Sequence, residues 1–285
     1  AIIQALWLPD LLRAAGEELS KKLVVFIGGS EETGMEDIDA FVRRHPMPDV
    51  SVTPDNQFPV SVGEKTILHI TARSGRLRDV VGVSGGIAEN LMMSRVTVKL
   101  RDTEPIWAAL RQSGLEVRHD SGGIEVISTA PAVHAAACAD YHSAMLPVAA
   151  FFADCPALCE GDRAQLAIAA RLLSDGRGTA FGVAGSDGGF GENTCCNGIA
   201  AMEGDRMELH FDFRISGGSD AEKAAETIRR AVEETGWEVA AMTYRAGFML
   251  PEDSEEVRRI LAACERVSGR TGLRPYYSGG GTYAS

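Results

Sequence analysis

The sequence predicts an α/β protein in two parts: a parallel strand–helix unit followed by an antiparallel α+β portion. Three observations predict this. Residues 23–27 (Leu-Val-Val-Phe-Ile) form an unbroken apolar run with β-branched side chains, the pattern of a strand buried on both faces. Met35, Ile38, Phe41 and Val42 then recur at helical spacing, and a second short strand pattern at residues 50–53 closes a strand–helix–strand unit. From about Phe58 the texture changes to alternating strands such as residues 95–100 (Arg-Val-Thr-Val-Lys-Leu), suited to a sheet with one solvated face.

Taken in order, residues 1–19 read as a helix interrupted by Pro9. Residues 21–27 read as the first strand and 35–45 as a helix whose acidic first turn suits the positive end of its dipole. Strands follow at 66–72, 95–100, 115–118 and 123–128, with a helix at 104–113 and a turn at Asp120-Ser121-Gly122-Gly123. Helices are expected at 141–153 and 162–173, a strand at 179–183, and a hairpin through Glu203-Gly204. An amphipathic helix at 220–235 precedes a strand at 237–244. A helix at 254–267, capped by Ser254, and a strand at 274–278 complete the series. The two middle passages resemble each other in texture, without a sequence repeat.

The chain has 285 residues, a net charge of −12 and 45 % hydrophobic residues, as a soluble globular protein of one or two domains does. The acidic balance, with no basic stripe, argues against nucleic acid as a partner. No apolar run approaches the roughly 20 residues that span a membrane. Six cysteines lie at irregular spacing without repeated CxxC pairs, which argues against a structural zinc site and for reduced thiols in the cytoplasm. The vicinal pair Cys195-Cys196 is expected in a strand with one thiol inward. The chain opens on an amphipathic segment already under way and stops in a glycine run, so both ends read as cut from something longer.

Chemistry points first to the carboxylates. Glu31 and Glu32 follow the first expected strand and Asp55 the second. Parallel neighbours would bring both loops to the sheet edge where open α/β sheets place their ligands. Adjacent residues point in different directions, so one Glu can bind a metal while its neighbour faces substrate. A metal-activated water flanked by a carboxylate is an arrangement for amide hydrolysis. Carboxylates with imidazole suit zinc, manganese or cobalt.

Six ordered segments carry a resemblance. Gly28-Gly29-Ser30-Glu31-Glu32-Thr33-Gly34 with Ser51-Val52-Thr53-Pro54-Asp55-Asn56-Gln57-Phe58-Pro59 resembles the core of the dinuclear-metal dipeptidases of the peptidase V type. These belong with the aminoacylases, carnosinases and succinyl-diaminopimelate desuccinylases. Ser84-Gly85-Gly86-Ile87-Ala88-Glu89-Asn90, Ala132-Val133-His134-Ala135, Asp212-Phe213-Arg214 and Gly279-Gly280-Gly281-Thr282-Tyr283-Ala284 continue the likeness along essentially the whole chain. The resemblance implies that Glu31 is the general base and that Glu32 and Asp55 are ligands of a two-metal centre, zinc in the first instance. His134 would reach the scissile carbonyl oxygen and Asn90 would contact substrate. Arg214 and the loop of Gly279, Gly280, Gly281 and Thr282 would hold the substrate carboxylate.

It also implies the architecture: a zinc-peptidase-like catalytic domain with a parallel or mixed sheet and helices on both faces, made of residues 1–65 and 246–285. A doubled, ferredoxin-like α+β lid of residues 66–245 is inserted into it. The expected protein is a monomeric cytoplasmic hydrolase of dipeptides or similar N-acyl amino acids. Alternatives are an aminoacylase- or desuccinylase-type deacylase, and a non-catalytic fragment or relative, because the chain carries only two of the family's ligands. His142 competes with His134; His45, His69, His119 and His210 read as structural or exposed.

Overall fold

A strand needs a neighbour for its backbone groups, and the first sixty residues do not supply one. In the computed structural model, which describes residues 2–31, 34–120 and 123–284, the expected strands at 21–27 and 50–53 are irregular segments. Val24 is 55 % exposed and Val52 69 % exposed. The expected parallel unit is therefore corrected: among the described residues neither apolar run has a paired strand beside it, so neither gains the ladder hydrogen bonds that would hold it extended and buried. Helix α1 (Ile2–Ala14) runs through Pro9 instead of breaking there, and Ile2, Ile3, Leu6, Trp7 and Leu11 on it are exposed. Helix α2 (Glu36–Val42) starts after Met35, a buried residue at φ 61° whose amide donates to the Ser30 carbonyl at 2.8 Å. A bulky side chain in the left-handed region costs about 1–2 kcal/mol, offset here by burial of the Met35 side chain.

Strand β1 (Ser61–Glu64) then begins the regular structure. The alternating segments pair into an eight-stranded sheet of β2 (Thr66–Arg76), β3 (Val80–Gly85), β4 (Arg95–Leu100), β5 (Glu116–Asp120), β6 (Gly123–Thr129), β9 (Thr194–Glu203), β10 (Arg206–Ile215) and β11 (Glu238–Arg245). Its order is β11-β2-β10-β9-β3-β4-β6-β5, and every neighbouring pair is antiparallel. Helices α3 (Glu104–Leu110), α4 (Met145–Ala153), α5 (Glu160–Leu172) and α6 (Ala221–Glu233) bury Ile106, Leu110, Val148, Phe152, Leu166, Leu172, Ile228 and Val232 into one core with Leu68, Ile70, Val96, Val98, Phe211 and Phe213 of the sheet. The sheet consists of two halves of one topology. Strands β2, β9, β10 and β11 with α5 and α6 lie in the order β11-β2-β10-β9, and β3, β4, β5 and β6 with α3 and α4 in the order β3-β4-β6-β5. The second half is inserted between β2 and α5 and is circularly permuted: β3, in the place that the last strand β11 holds in the first half, comes first in the chain.

Residues 179–183 are a further correction: they hold a 3₁₀ turn (Thr179–Phe181) between two left-handed glycines, not a strand. Short apolar runs are ambiguous by periodicity, and here Phe181 packs edge-on against Phe211 and Phe213, with centroids at 5.0 and 4.9 Å. Cys195 and Cys196 are both buried, Cys195 in the main core and Cys196 on the opposite face with Met92, Ala135 and Cys138. A two-stranded hairpin of β7 (Ser186–Asp187) and β8 (Gly191–Glu192) precedes β9. After β12 (Phe248–Met249), α7 (Glu255–Ser268) starts as expected at Ser254, whose hydroxyl accepts the Val257 amide. Strand β13 (Tyr276–Ser278) lies parallel to β1, and β12 antiparallel to it, in a small mixed sheet.

Candidate active site

The Glu31 loop is shaped by an acid from the first turn of α2. Asp37 folds back so that its Oδ2 accepts the amides of Gly29 (2.7 Å) and Ser30 (3.2 Å) and the Tyr283 hydroxyl (2.9 Å). The Asp37 amide donates to Ser30 Oγ at 3.2 Å. The Ser30 hydroxyl first, then the Gly29 amide, the Tyr283 hydroxyl and the Ile38 amide, hold the Asp37 carboxyl well below the usual carboxylate range, against the opposing effect of burial. Gly28 is required by the close approach: a Cβ there would sit 2.1 Å from the Tyr283 hydroxyl. Phe26 packs edge-on against Tyr283 and tilted against Phe41. Arg245, at the end of β11, reaches Asp39 at 3.2 Å and the Gly34 carbonyl at 3.2 Å, tying α2 to the large sheet. Glu31 itself is half-buried, and Glu32, the expected metal ligand, lies outside the described residues.

The glycine loop is held from the other side. Glu64, buried at the end of β1, accepts the Thr282 amide at 2.9 Å and the Thr282 hydroxyl at 2.7 Å. The chain between β13 and Thr282 then passes the 3₁₀ turn Ala135–Ala137, where a Cβ on Gly279 would stand 3.0 Å from the Ala136 Cβ. That turn carries His134. Leu91 and His134 form an antiparallel bridge, the Ala135 amide donates to the Asn90 carbonyl (2.9 Å), and the Met92 amide donates to Val133 (2.8 Å). Met92, Ala135, Cys138 and Cys196 with Val133 pin this pair of segments onto the face of the sheet that the helices leave open. His134 Nδ1 accepts the Ala136 amide at 3.2 Å. In the neutral ring this assigns the proton to Nε2, on an exposed imidazole that can donate a hydrogen bond outward.

Arg214 lies on the same open face beneath the turn, buried with its partner. Its Nε and Nη2 fork onto Asp212 at 2.7 and 2.8 Å, leaving Nη1 as the end of the guanidinium without a hydrogen bond among the described residues. Lys65 is also buried here and donates to the Glu192 carbonyl; burial, with the charge of Arg214 adding to it, pushes its pKa down. Asp55 stands apart, exposed on an irregular stretch.

The structure thus brings the Glu31 loop, the Gly279–Thr282 segment, His134 and Asn90 into one continuous run of contacts, and leaves Asp55 outside it. Sequence reasoning missed the residues that make these joins, Asp37, Glu64 and Tyr283. Tyr283 lay inside a recognised motif, whereas Asp37 carried only the signal of an acid in a helix first turn.

The carboxylates differ in what occupies them. Among the described residues, Asp79, Cys159 and Asp162 are close enough together to hold a cation. Yet Asp162 accepts the amides of Arg78, Asp79 and Val80 at 2.8–2.9 Å and the Cys159 thiol at 3.1 Å, so it is a clip that starts β3. Burial pushes that thiol up, keeping it protonated. Asp55 accepts no hydrogen bond and makes no ion pair among the described residues.

No protein-family profile matches the chain. The β-Ala-Xaa dipeptidase of Lactobacillus delbrueckii subsp. lactis is 30 % identical over 124 residues, covering 41 % of this chain and 26 % of that protein. A Staphylococcus aureus (strain MW2) protein bearing a dipeptidase designation is 24 % identical over 99 % of this chain and 64 % of its own length. The chain therefore spans less than two thirds of these relatives. Among solved structures, an M20 family metallo-carboxypeptidase of Sulfolobus solfataricus matches at 13 % identity and TM-score 0.37, over 90 % of this chain and 57 % of its own. The aminoacylhistidine dipeptidase of Vibrio alginolyticus matches at 12 % and 0.35, over 79 % and 53 %. The sequence likeness is to dipeptidases. No helix among the described residues is long and apolar enough to cross a membrane.

Proposed function

We propose that the chain belongs to a metal-dependent hydrolase that cleaves the amide bond of dipeptides or similar N-acyl amino acids. One observation supports the reading: the Glu31 loop meets Tyr283 and the His134 turn meets Gly279, so both seat against the one short segment from Gly279 to Tyr283. In this reading residues 1–65 and 246–285 form the catalytic part, and residues 66–245, with the doubled sheet, a lid over it. Because the doubled lid supplies both halves within one chain, the protein acts as a monomer.

Glu32 and Asp55 would hold the divalent cation, which supplies Lewis-acid polarisation of water and of the scissile carbonyl. Glu31 takes the proton from the attacking water and passes it to the leaving amine. His134 Nε2 donates to the oxygen on which charge develops. Arg214 Nη1 and the Gly279 to Thr282 loop receive the substrate carboxylate, the loop through the amides of Gly279 and Gly281, since the Gly280 amide donates to Ser278 and the Thr282 amide to Glu64; Asn90 closes the pocket.

Glu31→Gln in the full-length protein tests this against a dipeptide panel. Turnover should fall by about 10²–10⁴-fold, the worth of a positioned general base, with the metal content found by elemental mass spectrometry unchanged. Near-normal turnover overturns the assignment of Glu31, and a wild-type protein inert towards the whole panel overturns the reading.

A further inference from the structure

The loop that carries Asn90 is held by a carboxylate between two imidazoles. Residues 86–91 cross the open face of the sheet after Gly86, which takes φ +82° and lies so close to β9 that a Cβ would fall 1.8 Å from the Gly198 carbonyl oxygen. From this loop the Glu89 carboxylate reaches β2 and β10. Its Oε2 lies 3.3 Å from His69 Nδ1 and its Oε1 lies 3.1 Å from His210 Nδ1. The other nitrogen of His69, Nε2, lies 3.2 Å from Asp212 Oδ2. Both ring nitrogens of His69 therefore face carboxylate oxygens, which accept and cannot donate. Only the doubly protonated ring satisfies both contacts.

The next residue in the chain is Asn90, whose carbonyl takes the Ala135 amide, and Leu91 bridges to His134. We propose that Glu89 is a positioning residue, clamped by His69 and His210, that sets Asn90 and the His134 turn on the sheet and releases them as His69 loses its proton. The part played in catalysis rests on the peptidase reading above; the clamp itself does not.

The charges around the clamp support the assignment. Asp212, Glu208 and Arg214 face it from β10, and Arg73 from β2, the last paired with Glu208 at 2.7 Å and with Glu238 of β11 at 3.6 Å. Glu203 stands at the end of β9, and the 3₁₀ turn presents His134 and Cys138. The Asp212 hydrogen bond first, then the charges of Asp212 and Glu89, raise the His69 pKa against burial and the opposing charge of Arg214. The hydrogen bond from His210 first, then the charges of His69 and His210, lower that of Glu89. A raised imidazole pKa means that the clamp is fully made below the ordinary value of about 6.5 and is lost as pH rises through the higher folded value.

The test is made on the full chain by NMR. His69 Cε1 should titrate above the ordinary histidine value in the wild type, and Glu89→Gln should bring its midpoint down. The protection factors of the Leu91 and Ala135 amides, taken as the intrinsic base-catalysed rate at each pH divided by the observed exchange, should fall in that variant, and in the wild type once pH passes the His69 midpoint, by about tenfold for each unit that Glu89 adds to that midpoint. The wild-type pH series needs no variant, so a Glu89→Gln protein that fails to fold leaves the proposal exposed to refutation. An ordinary His69 midpoint, or protection at residues 91 and 135 indifferent to it, overturns the clamp. In the dipeptide assay, kcat/KM of the wild type should fall across the same midpoint and the variant should lose that step. A wild type without turnover counts against the peptidase reading while the exchange data still judge the clamp. An active wild type whose pH profile the variant reproduces overturns the positioning role.

Discussion

Residues 2–60 and the eight-stranded sheet that follows contain apolar runs of similar make-up, yet the two regions use them differently. Leu68, Ile70 and Ala72 in β2 are buried because β10 and β11 flank them and the helices cover one face. Leu23, Val24 and Ile27 have no strand beside them among the described residues and remain exposed. The difference teaches that an apolar run specifies burial only together with its partners. What orders the first region near the candidate site is polar: Asp37, Ser30 and Tyr283, with the Arg245–Asp39 ion pair.

The comparison can be broken where it is strongest. Phe213 is fully buried between Phe181 and Phe211, so Phe213→Ala should cost about 3–5 kcal/mol, read as a lower urea midpoint at unchanged slope. A slope that changes as well would show that the sheet does not unfold as one unit. The polar anchor should respond to acid instead. Because the Asp37 carboxyl is held below its ordinary range, its contribution is present above the ordinary carboxylate value of about 3.9 and is lost only as pH falls through the lower folded value. The Gly29 and Ser30 amides should then stay protected from exchange at pH values where a free carboxyl is already protonated, and Asp37→Asn should remove that protection. The smallest effect belongs to the exposed run: Val24→Ala should change stability by no more than about 0.5 kcal/mol. A cost of several kcal/mol, measured by the same denaturation, would place Val24 in a core and undo the contrast between the regions.

Legibility in the sequence follows the same line. Helices with their own local signals were readable, such as α6 with Asp220 capping the Lys223 amide and α7 with Ser254. So were the long alternating strands β2, β4 and β10, whose period of two is set by a half-covered sheet. Strand β3 (Val-Val-Gly-Val-Ser-Gly) was not, since its two glycines hide the alternation. Residues 21–27 and 50–53 misled because periodicity records apolarity and not the presence of a neighbour. At the candidate site, the segments around Glu31, Asn90, His134 and Gly279 were recognisable as motifs, and the structure joins them. Of the residues that do the joining, Thr282 and Tyr283 lie in the last motif, whereas Asp37 and Glu64 were not recognisable, because Asp37 meets Tyr283, and Glu64 meets Thr282, only after the chain has folded back on itself.

The Asp37–Tyr283 hydrogen bond links residues 246 positions apart. Strands β3 to β6 can close on themselves once residue 129 has been made, and β2 must wait for β10 and β11. The Glu31 loop waits longer still, for a tyrosine translated after every strand of both main sheets. On a ribosome the candidate base thus emerges before every strand of both main sheets and is set in place only after all of them. Any nascent chain long enough to fold its large sheet but short of Tyr283 would carry Glu31 without the contact that shapes its loop.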